Sequence, residues 1–138
     1  MPPVPLPPDV DAFLRRPNPA VIATLRPDGS PHTAATWYDW DGESIFLNMD
    51  ASRARLPWMR RDGRVALTVL GEESWYVHAS LLGRVTRIED DPDLSGIDRL
   101  SLRYRGQRYR NRTSPRVSAW MTVERWHGWT AAGLWTAA

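Results

Sequence analysis

The turns in this chain constrain its fold more than any other feature. "AVIATLR" runs into "PHTAATWYDW" through Pro27-Asp28-Gly29, and that stretch runs into "ESIFLNM" through Asp41-Gly42. Both turn sequences favour tight reversals, because Gly tolerates positive φ and Asp bonds its own backbone. Runs of strand-forming residues joined so closely must lie antiparallel, and the three read as a meander. "RVALTVL", "SWYVHASLLGRVTRIE" and "RVSAWMTVERW" add three more strand-like runs, with Gly83 marking a bulge or bend in the second of them. Helical spacing is rarer. Val10, Phe13 and Leu14 share one face of a short helix, with Asp9 as its expected cap and Pro17 and Pro19 as its stop. Leu56 and Met59 form the apolar side of a helix expected over 51–61, and Leu94, Ile97, Leu100 and Tyr104 form the stripe of a later one.

About six strands and two or three flanking helices, joined mostly by hairpins, predict a mainly β fold: a small antiparallel barrel with helices at its edges. At 138 residues the chain is one domain. Residues 1–8, with five prolines, read as a flexible Pro-rich lead-in, and residues 9–138 as the domain itself. In the first strand Val21, Ala23 and Leu25 alternate with Ala20, Ile22 and Thr24, so both faces are apolar. One face fills the barrel. A second copy of the chain is the simplest cover for the other, which predicts a homodimer.

Composition narrows the chemistry. With no cysteine there is neither a disulfide framework nor a thiolate nucleophile. No stretch resembles a secretory leader or approaches the ~18 apolar residues of a membrane span, so a soluble, cytoplasmic protein is expected. His32, His78 and His127 are isolated, which argues against a metal site. No nucleophile elbow, P-loop or dinucleotide fingerprint is present. Any enzyme chemistry here belongs to a bound cofactor.

All 18 fixed positive charges are arginines, set against 16 acids, so the net charge of +2 does not mark a polyanion binder. Local clustering does more. Arg53, Arg55, Arg60, Arg61 and Arg64 follow the apolar run Ile45–Leu47 in "NMDASRARLPWMRRDGRV". Ser52, Arg53 and Arg55 fall where a strand is expected to end and a helix to begin, a place suited to an anion. Guanidinium forks there match phosphate oxygens. A solvated helix face is the equal alternative on physical grounds. A second cluster, "RYRGQRYRNR" at 103–112, has three readings: a single-strand nucleic-acid contact by charge and stacking, a border for an anionic ligand, or a solvated helix end. The last is favoured and nucleic acid is unlikely.

The first hairpin, the basic segment "SRARLPWMRRDGRV" and the closing "RVSAWMTVERWHGW" together resemble the flavin- and deazaflavin-binding proteins related to pyridoxamine 5′-phosphate oxidase. The short branch that uses coenzyme F420 is the nearest. The resemblance, running from about Ala20 to Trp126, implies a homodimeric, six-stranded antiparallel split β-barrel of Greek-key type with cofactor sites at the subunit interface. It implies that Arg53 and Arg55 hold the cofactor phosphate and that Ser52 and Asn48 lie near the phosphate and ribityl chain. Ala35, Thr36 and Trp37 would line the ring system. Arg60, with Arg61 and Arg64, would extend the basic groove toward the acidic F420 tail, and Trp75 and Trp120 are candidates for the partner subunit's contribution. Pro57 and Gly63 depart from the family pattern, which often has a polar or basic residue and a proline there. The expected activity is an F420-dependent oxidoreductase passing hydride to a conjugated acceptor, with a proton from solvent, Tyr38 or His78. An FMN-dependent relative and a non-catalytic cofactor carrier are the alternatives. Trp37, Trp40, Trp75 and Trp120 at strand spacing equally suit a core or interface.

Overall fold

The computed structural model describes residues 5–136. Its elements in chain order are α1 (Pro8–Arg15), β1 (Ala20–Leu25), β2 (Pro31–Thr36), β3 (Asp39–Trp40), β4 (Ser44–Asp50), α2 (Arg55–Arg61), β5 (Arg64–Leu70), β6 (His78–Asp90), α3 (Ser95–Arg105), β7 (Arg116–Thr130) and β8 (Gly133–Leu134). Six long strands and two short ones form one antiparallel sheet in the order β2-β1-β5-β6-β7-β4-β3, with β8 on β7.

The first hairpin forms as expected, with Asp28 accepting from the Ser30 N–H at 2.9 Å and pairing Ala20 with Thr36. The expected three-strand meander does not. β2 has no ladder with β4; the chain crosses Trp37 and Tyr38 and enters β3 at the far end of the sheet. Tyr38 explains the break. Its ring is fully buried, and its hydroxyl donates to the carbonyls of Leu14 (2.8 Å) and Arg16 (3.1 Å), which pulls the backbone out of the ladder. Because a two-residue link joins opposite ends of the strand order, the sheet has to curl back on itself. Among the described residues no β2–β3 or β2–β4 ladder closes the curve.

The inside of the curve is the core. Ile22, Ile45, Leu47, Met49, Leu67, Leu81, Met121 and Trp126 are buried there, and each large apolar side chain contributes about 1.5–3 kcal/mol. β6 and β7 make the longest ladder, with register shifts at Leu82/Gly83 and Val85/Arg87 that let it bend. Gly83 is required at the first shift, since a Cβ there would overlap the Thr122 carbonyl oxygen.

Two helix boundaries differ from expectation. α1 starts at Pro8 after an N-cap at Pro7, so Asp9 lies inside the first turn, where one carboxylate oxygen accepts from the Val10 N–H at 3.0 Å. A proline in the first turn has no N–H needing an acceptor, and the other Asp9 oxygen accepts from the Trp135 indole at 2.7 Å. Of the Pro-rich lead-in, residues 1–4 lie outside the described residues, Leu6 packs on the core and Pro7 is buried. α2 spans seven residues, beginning at Arg55 rather than near Ala51. The Asp50 carboxylate accepts from both the Ser52 N–H (2.9 Å) and hydroxyl (2.7 Å), and this local turn delays the helix.

Candidate functional site

Where β4 ends beside the start of β7, the sheet leaves a cleft of about 580 Å³ against α3. One wall is the end of β2 and its exit, Ala35, Thr36 and Trp37; α3 supplies Ile97, Leu100 and Tyr104. Asn48, Met49, Asp50, Arg53, Arg55 and Arg116 also line the cleft. Pro17, Pro19 and Glu72 close the other side.

The aromatic wall is a stack. Trp37 lies parallel to Tyr104 with centroids 5.4 Å apart and meets Tyr109 edge-on at 6.3 Å. Tyr104 is fixed by its hydroxyl, which donates to the Asn18 carbonyl at 2.7 Å. Burial pushes its phenol pKa above the ordinary value.

Another part of the lining is cationic. Arg55 is half-buried, and its Nε has no hydrogen-bond partner among the described residues. Burial, together with the neighbouring Arg53 and Arg116 guanidiniums, holds its pKa below the ordinary value. Such an arrangement is unfavourable until an anion arrives. Asp50 is the one acid in this wall; its carboxylate lies near Arg53 and Arg116 and is already taken by Ser52. Since α2 is only seven residues long, the attraction for an anion comes from guanidiniums rather than from a helix dipole.

Six of the residues expected at the site line this cleft: Ala35, Thr36, Trp37, Asn48, Arg53 and Arg55. Three do not. Ser52 is turned onto Asp50. Arg60 is exposed on α2, outside the cleft lining, while Arg61 and Arg64 border a separate groove with Arg26 and Trp58. Trp75 is 68% exposed, stacked on Tyr76 at 4.8 Å in the loop before β6. Of the two proton-donor candidates, Tyr38 is sealed in the core with its pKa raised mainly by burial. His78, bonded to the Tyr76 carbonyl at 2.9 Å, is also outside the cleft. Trp120 pairs edge-on with Phe46 at 5.2 Å and carries the Arg87 guanidinium on its face at 4.0 Å. Arg116, Tyr104 and Tyr109 were not among the expected site residues, although the two tyrosines sit inside the Arg–Tyr run that raised the possibility of an anionic ligand.

A sequence model of the family described as pyridoxamine 5′-phosphate oxidase matches residues 6–130. The chain belongs to this family. Among solved structures, a protein called F420 reductase superposes with a TM-score of 0.81 at 27% identity, covering 88% of this chain and 98% of its own. A conserved hypothetical protein from Mycobacterium tuberculosis gives 0.72 at 24% identity over 91% and 85% of the two chains. A putative pyridoxamine 5′-phosphate oxidase from Listeria innocua gives 0.66 at 15% identity, over 87% and 94%, and shares the fold. No curated protein matches in sequence. Among the described residues no helix is long and apolar enough to cross a membrane.

Proposed function

We propose that this pyridoxamine 5′-phosphate oxidase family member is an oxidoreductase that uses coenzyme F420 as a homodimer. The observation that carries the reading is the cationic wall: a half-buried Arg55, its Nε without a hydrogen-bond partner among the described residues, lies beside Arg53 in a cleft of about 580 Å³ that an aromatic and backbone wall also lines. A phosphate belongs at the first wall and a planar ring system at the second. Arg53 and Arg55 would hold the phosphate through charge-assisted hydrogen bonds. The backbone of Ala35–Trp37 and the Trp37–Tyr104 stack would border the ring and exclude water from it. When bound, the deazaflavin supplies the hydride that a conjugated acceptor receives.

The similarity to an F420 reductase supports the deazaflavin over FMN. The arginine count supports it less than the sequence implied, because Arg60, Arg61 and Arg64 lie outside the cleft and Arg64 is engaged by Asp62 at 2.7 Å. The homodimer reading is supported by the apolar outer sheet surface, where Val21, Ala23, Leu25 and Ala66 are half-buried and Leu82 and Trp129 are exposed.

The test is a titration of the purified protein with F420 and, separately, with FMN, followed by the fluorescence of each. The expected result is micromolar or tighter binding of F420, with FMN at least about tenfold weaker, a difference of ~1.4 kcal/mol. The opposite order would assign the protein to FMN chemistry. Binding of neither would overturn the proposal.

A further inference from the structure

Arg116, at the first residue of β7, has one side-chain hydrogen bond among the described residues: its Nε donates to the Asn48 Oδ1 at 2.8 Å. The Tyr109 ring supports the guanidinium from one face at 4.7 Å. Neither Nη group has a hydrogen bond among the described residues, and Arg116 lines the cleft. Asn48 in turn is fully engaged. Its Nδ2 donates to Asp91 Oδ2 and to Ser118 Oγ, both at 3.0 Å. Asp91 also accepts from the Gly96 N–H (2.9 Å) and the Ile97 N–H (3.0 Å) at the start of α3. Asn48, Asp91 and Ser118 are all buried, so these bonds are sheltered from competing water.

Charge decides which way the Asn48 amide points. Turned the other way, its oxygen would face the Asp91 carboxylate and its NH₂ would face the Arg116 guanidinium, two repulsive contacts in a dry site. The observed orientation satisfies both charges and spends both amide hydrogens. Asn48 therefore has no donor left for a phosphate oxygen, although it lines the cleft. Room for the cluster depends on Gly96, where a Cβ would come within 2.5 Å of the Ser118 hydroxyl and 3.0 Å of the Asn48 amide.

We infer that Asn48 is a positioning residue: held by Asp91 and Ser118, it aims Arg116 as a third guanidinium at the cofactor phosphate. This rests on the cofactor reading above but adds to it. The same carboxylate that orients Asn48 caps α3, the helix that carries the Tyr104 wall, so the phosphate end and the ring end of the site share one buried acid.

The experiment compares ligands that differ only in the phosphate: FMN with riboflavin, and F420 with its phosphate-free deazaflavin alcohol. Dissociation constants are measured for wild type, Asn48→Leu, Arg116→Ala and the double variant, with thermal unfolding to confirm folding. Each single change is expected to weaken the phosphate-bearing ligand about tenfold, as for loss of one charge-assisted contact, while its phosphate-free analogue changes less than about twofold. The double variant should be no weaker than Arg116→Ala alone within about twofold, because the two residues act as one unit. Equal losses for both members of a pair, or additive losses in the double variant, would show a merely structural Asn48 and overturn the inference. A wild type that prefers the phosphate-bearing ligand, with that preference intact in Asn48→Leu, would overturn the inference alone. A wild type with no such preference would overturn the cofactor reading and the inference with it. If Asn48→Leu does not fold, Ser118→Ala removes one of the two amide acceptors, and the same selective loss is expected at a few-fold level.

Discussion

Under the proposed function, Arg55 serves the bound state at the expense of the free one. Its guanidinium is half-desolvated, repelled by Arg53 and Arg116, and unpaired at Nε. Arg55→Met keeps much of the packing and removes the charge. The ligand-free variant should be more stable than wild type by about 0.5–1 kcal/mol, read as a higher midpoint in urea unfolding. The same substitution should weaken cofactor binding. Arg53→Ala with Arg55→Ala should remove ~1.5–3 kcal/mol of binding per lost charge-assisted bond; unchanged affinity in the folded double variant would move the phosphate elsewhere. At this scale the sequence was informative where cleft residues are close in the chain, as Arg53 and Arg55 are. Arg116 and Tyr104 escaped notice because what places them at the cleft is a β4–β7 ladder and a helix packed across it, contacts spanning some 50 residues or more. Ser52 looked like a phosphate donor, but Asp50-x-Ser52 is a local turn motif whose carboxylate takes the hydroxyl, as Asp28 does for Ser30 and Asp93 for Ser95.

The third helix is held by a residue that its surroundings disguise. Arg103 belongs to the Arg–Tyr run, yet its guanidinium donates to the carbonyls of Leu14 (3.0 Å), Arg15 (2.7 Å), Arg16 (2.7 Å) and Tyr38 (2.9 Å) and lies 3.3 Å from Asp39. It satisfies the carbonyls at the end of α1, which that helix cannot satisfy itself. Two more members of the run, Arg108 and Arg112, turn to Asp98 at 3.7 and 2.6 Å. Arg103→Ala should cost about 3 kcal/mol, at the upper end for a single change, and Arg103→Lys should recover little of it, because one ammonium cannot span four acceptors. Thermal unfolding of both variants tests this. Strand positions were legible from alternation and turn residues, and Gly83 from its place in a long strand. The β2–β3 break was not legible. It depends on Tyr38 finding acceptors on α1, a tertiary contact with no local signature.

For the whole molecule, the uncovered sheet surface sets the expected assembly. Ala23, Ala66 and Leu82 lie side by side across β1, β5 and β6. Ala66→Arg puts a charge in the middle of that row; sedimentation should show a dimer for wild type and a monomer for the variant. A wild-type monomer would leave the cofactor site to one chain. Acid stability follows from the carboxylates. Asp98 is held below its ordinary value chiefly by Arg112, Asp11 chiefly by Arg15, and Asp62, bonded to Arg64, is pulled down to about 2. Because folding lowers these values, their contribution is complete above the unfolded value near 3.8 and is lost as pH falls from there toward about 2. Unfolding midpoints should be flat from pH 7 to 5 with respect to these groups and decline modestly below 4, because the ion pairs are solvent-exposed.

The order of the strands also bears on synthesis. Among the described residues β7 is the last of the long strands in chain order, yet it lies between β6 and β4. Before it emerges from the ribosome, the earlier strands can assemble only as β2-β1-β5-β6, while β4 has two-residue β3 as its sole neighbour. Ile45, Phe46, Leu47 and Met49 then sit on an open edge with nothing to cover them. A stall in translation before residue 116 would leave a sticky half-sheet, and completion of β7 is the event that makes the nascent chain safe from aggregation.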